Sequence, residues 1–396
     1  MTVPAPRVRR RPAVPGRTLP LLLVLALLVP LGFIFAQSES SAADDHDLAS
    51  RERLGVRYLR ALGPITDALV EAQAIAVAEG AVSRGALTAA IEGVAEVDSA
   101  VGDELRTHER WAGLRAKLES LPDRGLGDPE AAFRAYGEAS DLLLALYRKV
   151  RESSGLIRDP RSDSFFLQDG IGGDLPTATV LAGRLVDLAR LAAKRPAAER
   201  ARTGAELAEL RVAALGPATD LVADLRSAVD SSESTDLGAN VLTPLDTYQR
   251  SLETFSVYSA PGGGRSAPST DQLTQAGITA QNAAKQLRTV ILDQLDALLK
   301  ERLDAIDRDR LLGRAAAGTA VALLAGIAAL HLAALRRARA AGPPPARRTP
   351  AEAGPPRRST LTRRSPCPRV TASRSPSAGA ATPTGEAVRC CSLGYG

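Results

Sequence analysis

The side chains of this chain that could do chemistry are few and scattered. Its three histidines, His46, His108 and His331, lie far apart in sequence and form no metal-ligand spacing. Its three cysteines, Cys367, Cys390 and Cys391, all fall near the C-terminus, so residues 1–366 offer no thiol for catalysis, disulfide formation or metal binding. The glycine run 262–264 is not followed by Lys-Ser/Thr, which excludes a phosphate-binding loop, and neither a Ser/His/Asp spacing nor a dinucleotide fingerprint occurs. Carboxylates abound, but they sit three or four residues from arginines, as in Glu199/Arg202 and Asp304/Arg308. That is the spacing of solvated pairs on a helix face. The expectation is a protein that is not an enzyme and takes neither metal nor cofactor.

One stretch, 142–176, offers groups for holding a ligand. A Leu-rich helical segment stops at Gly155, turns through Asp159-Pro160, and sets Phe165 and Phe166 before an acidic, Gly-rich helix entrance. Asp159 precedes a proline and is biased away from the α region, while Pro160 suits the first turn of a new helix. Ile157, Phe165, Phe166 and Leu167 are expected to pack across this corner. Arg158 and Arg161 are placed to take a carboxylate in bidentate fashion; the competing partners are Asp159 and Asp163. The candidate ligand-binding residues are therefore Arg158, Arg161, Asp163, Phe165 and Phe166.

The same stretch resembles the "LI-DP-x-x-D-S-Y-Y-L-x-D … LP" corner of the all-helical sensor domains of methyl-accepting chemotaxis proteins and related membrane receptors. The matching residues are Leu156, Ile157, Asp159, Pro160, Asp163, Ser164, Phe165, Phe166, Leu167, Asp169, Leu175 and Pro176. Phenylalanine replaces tyrosine at both aromatic positions, which removes any role for a phenol hydroxyl there. The segments 51–59 (RERLGVRYL) and 107–114 (THERWAGL) are similar to that family as well. The resemblance covers the part between the two apolar segments described next. It implies an extracytoplasmic helical sensor and, after a second membrane span, a HAMP linker and a signalling coiled coil, neither of which the sequence contains.

Composition agrees with helices. Aromatics are only 3% of the 396 residues while Ala, Leu, Arg, Asp and Glu dominate, so an all-α protein is expected rather than a β core. The net charge of +5 hides an asymmetry: both ends are arginine-rich, and the middle is acidic, on the order of −10. A nucleic-acid binder would not distribute charge so; a chain with both ends in the cytoplasm and its middle outside would. Residues 18–38 carry no charge and are long enough to cross a bilayer, which takes about 20 residues. Five arginines precede them, which sets residues 1–17 in the cytoplasm. A cleaved signal peptide ending near Ala36 is the alternative. Residues 314–336 form a second apolar run, uncharged from 315 to 335, and Arg336, Arg337 and Arg339 mark its cytoplasmic side.

Between the spans, 39–313 reads as an elongated helical bundle, with two stacked four-helix modules as one arrangement. Helices are predicted over roughly 45–81, 84–121, 129–154, 175–194, 197–230 and 236–258, followed by a long one from about 269 into the second span. Gly80 and Ser83 read as a stop and the next N-cap, and module boundaries are expected near Arg195-Pro196 and the 156–176 corner. Gly318, Ala322 and Gly326 give a small-xxx-small spacing, so a homodimer through the bundle and second span is expected. The Pro/Arg/Ser-rich tail, 337–396, cannot bury a core and is expected to be disordered. It is either a genuine tail that works with a separate cytoplasmic partner or the out-of-frame remnant of a truncated receptor. The leading function is a plasma-membrane sensor that binds a small extracytoplasmic solute; the alternative is a membrane-anchored helical scaffold without one.

Overall fold

The structure is a computed structural model that describes residues 19–80, 82–121, 128–157, 161–232, 234–260 and 269–340. These are almost entirely helical, with no strand among them. The helices are α1 (Leu19–Val77), α2 (Gly85–Leu105), α3 (His108–Ser120), α4 (Pro129–Ser154), α5 (Ser162–Asp169), α6 (Leu175–Lys194), α7 (Arg200–Ser231), α8 (Thr235–Tyr258) and α9 (Thr270–Ala340). A single π turn, Gly170–Asp174, joins α5 to α6, and a short 3-10 turn, Ala197–Glu199, precedes α7. By its contacts the chain divides into Met1–Leu330 and His331–Gly396. In the second unit the described residues are the last turns of α9.

The core explains why these helices pack. Leu59, Leu62, Ile65 and Leu69 recur along α1 at three- and four-residue steps, as Ala139, Leu143, Leu146 and Val150 do along α4, and each set is buried. With Leu287, Ile291 and Leu295 of α9 they join one core to which every helix from α1 to α9 contributes. A smaller cluster gathers Leu185 and Val186 of α6, Phe255 of α8, and Leu273, Ala276 and Ala280 of α9. Charged pairs tie α1 to α9 in antiparallel register: Arg53 to Asp296 (2.9 Å), Arg60 to Asp293 (2.7 Å), Arg288 to Asp67 in bidentate fashion, and Arg302 to Glu52 (3.3 Å).

Three local expectations are corrected. The predicted helix over 84–121 is two helices. Arg106 adopts a left-handed conformation (φ 53°), its N–H and that of Thr107 bond back to Asp103 and Gly102 carbonyls, and α3 turns back along α2. Arg84 fastens the far end of this pair by donating to the Leu118 and Leu121 carbonyls. Ser83 is not the N-cap of α2; Arg84 occupies that place without a side-chain bond. Arg202 pairs with Glu206 (2.8 Å) one turn along α7 rather than with Glu199, which lies in the 3-10 turn before that helix.

α9 carries a stretch long and apolar enough to cross a membrane. Its Leu311, Val321, Leu323, Ile327 and Leu330 are exposed. The first apolar segment begins outside the described residues and continues as the start of α1, where Val29, Leu31, Phe33 and Ile34 are exposed in the same way. Glu39 of α1 pairs with Arg310 and Arg314 of α9 where both helices leave the packed core.

Candidate functional site

The predicted corner joins α4 to α5. Gly155 takes φ 87°, which favours glycine, and a Cβ there would press on Leu48 of α1 at 2.6 Å. Leu156, not Ile157, enters the core after this glycine, and Ile157 is left exposed. Asp163 is buried and its acceptors are filled from within: Ser164 N–H at 2.8 Å, Arg161 at 3.2 Å and the Ser232 hydroxyl at 3.2 Å. Phe166 packs on the core and meets the more exposed Phe165 edge-on, centroids 5.7 Å apart. Arg158, with Asp159 and Pro160, lies outside the described residues. The structure thus brings Arg161 and Asp163 together, but against each other.

A cavity of about 430 Å³ lies elsewhere, between α1, α6 and α9. That size suits a small solute. One wall of α1 (Asp67, Val70, Glu71, Ala74, Ile75, Ala78) faces Gly183, Val186, Asp187 and Arg190 of α6, and Ile278, Gln281, Asn282 and Lys285 of α9. The glycine and the alanines leave the space that longer side chains would fill. Asp187 is fully buried at its edge, accepting from Gln73 (2.9 Å) and Arg190 (3.3 Å). Burial pushes its carboxyl up to about 6, against the pull of Gln73 and Arg190. Glu71 and Lys285 line the same cavity from opposite helices, and no ion pair joins them among the described residues. Sequence reasoning missed this site because its lining comes from three faces remote in the chain.

Two other polar clusters were also hidden in the sequence. Asp98 of α2, buried, collects the Tyr58 hydroxyl (2.8 Å), the Thr107 hydroxyl (2.7 Å) and His108 Nδ1 (2.6 Å). Asp169, Asp174 and Asp224 bring carboxylate oxygens within 4.8 Å of one another, a spacing that could hold a cation. Arg151 already pairs with Asp169 at 2.9 Å, and burial, then the neighbouring Asp169, Asp224 and Asp220, pushes Asp174 up to about 7. Arg151 thus offsets part of the repulsion among the three carboxylates.

No protein family, curated protein or solved structure matches the chain.

Proposed function

We propose that the chain is a two-pass membrane sensor, with both termini in the cytoplasm, that seats a small extracytoplasmic solute in the α1/α6/α9 cavity. One observation supports this most: α9 walls the cavity and continues without a break into its membrane-length apolar stretch. A solute wedged against Ile278, Gln281 and Lys285 shifts α9 against α1, and a stiff helix carries an ångström-scale shift along its axis. The basic residues flanking both apolar segments set the orientation. A homodimer partner through the bundle and the exposed Gly318/Ala322/Gly326 face, and a separate cytoplasmic signalling partner, complete the reading.

The test is thermal stabilisation of the full chain in lipid nanodiscs by a panel of small polar solutes. A binder at a hundredfold over its Kd adds about 2.7 kcal/mol to stability. Ile278→Trp, which fills the cavity from its rim, abolishes the shift. No shift with any solute, or a shift that survives Ile278→Trp, overturns the reading; the former leaves the scaffold.

A further inference from the structure

The α2–α3 corner is built around a single imidazole. His108 is the first residue of α3, and its ring lies over Gly102, where a Cβ would come within 2.6 Å of it. Nδ1 stands 2.6 Å from Asp98 Oδ2, and Nε2 stands 3.0 Å from Asp103 Oδ1. A neutral imidazole has one N–H and one lone pair, so it can satisfy only one of two carboxylates; the imidazolium satisfies both. Asp98 is itself held by Thr107 on the corner and by Tyr58 on α1. The geometry therefore fits the charged ring.

We propose that the α2–α3 corner is a proton-operated hinge: protonated His108 clasps Asp98 and Asp103, holding α3 folded back along α2, and loss of the proton releases the clasp. The charged groups that face the ring are Asp98 and Asp103 of α2, and Tyr58 of α1 faces it through Asp98. α4 packs on α3 farther along, through Glu138 on Lys117. The hydrogen bond to Asp98, then the fields of Asp98 and Asp103, raise His108 above the ordinary histidine value of 6.5. The sign follows. Stabilisation of the closed corner is complete below 6.5 and is lost as pH rises through the raised value. Opening bears on α1 directly, since Tyr58 sits on the helix that leads to the first apolar segment. Extracytoplasmic pH is thus an input to the bundle independent of any solute.

The chain's single tryptophan, Trp111, is buried three residues from the hinge and reports on it. The experiment is acrylamide quenching of Trp111 in the full chain in nanodiscs from pH 5.5 to 9, with the His108 titration followed by NMR. The open fraction is expected to rise about tenfold per pH unit between 6.5 and the His108 midpoint, then level off. His108→Gln removes this dependence, and His46→Gln and His331→Gln leave it unchanged. Should His108→Gln fail to fold, Asp103→Asn decides, because it keeps the Asp98 bonds and must lower the midpoint. A His108 midpoint at or below 6.5, quenching that is flat with pH, or a pH response that persists in His108→Gln overturns the proposal, as does an unmoved midpoint in Asp103→Asn.

Discussion

Replacing Arg302 by methionine takes a charged partner away from a buried carboxylate. Glu52 of α1 is completely buried, and Arg302 of α9, little exposed itself, meets it at 3.3 Å. Removing one partner of a buried pair costs about 3–5 kcal/mol, whereas replacing both partners by apolar groups is close to neutral. At ~2 °C per kcal/mol for a domain of this size, Arg302→Met lowers the melting temperature by roughly 6–10 °C. The assay is thermal unfolding of the full chain in nanodiscs at pH 7.5, followed by Trp111 fluorescence. Adding Glu52→Met to Arg302→Met restores most of the loss. A single variant that costs under ~1 kcal/mol, or a double variant as unstable as the single one, would refute the assignment of this pair as a desolvated contact between the two long helices.

Two further outcomes follow from the buried polar groups. Asp187 is raised from 3.8 to about 6, worth ~3 kcal/mol, so the folded state binds its proton first and stability rises as pH falls through that window. Melting curves of wild type and Asp187→Asn between pH 7 and 4 should therefore diverge, with wild type gaining more from acid. Tyr58→Phe takes one of three donors from buried Asp98 and should cost about 1–3 kcal/mol in denaturant titrations, far more than loss of an exposed hydroxyl.

The helices themselves were legible where periodicity and punctuation agree. Pro129 after Asp128, whose carboxylate caps the Glu130 N–H at 2.9 Å, announces α4, and Gly155 announces its end. The α2–α3 break was not legible, because its left-handed residue is an arginine with no glycine or proline beside it. The polar partners of the 156–169 corner were not legible for a related reason. Arg161 and Asp163 look available in sequence because short-range patterns cannot reveal that Ser232, 69 residues on, completes the Asp163 shell. The cavity is made by what is missing at Gly183, Ala74 and Ala78, and small residues on distant helices carry no local signal of the space between them. Asp98 and His108, ten residues apart, match no helical spacing and meet only because the chain reverses between them.

The ion pairs between α1 and α9 also amount to a code. Along α1 the signs run Glu39, Glu52, Arg53, Arg60, Asp67; along α9 the complementary letters are Arg314, Arg302, Asp296, Asp293, Arg288. Two minus signs, two plus signs and a minus read against their inverse, so a slip by one turn misreads most positions. Letters more than two hundred residues apart thus verify each other's register when the chain closes. One residue inserted into α9 between Asp296 and Arg302 would rotate everything beyond it by about 100° and leave two of the five pairs, those of Arg302 and Arg314, unreadable.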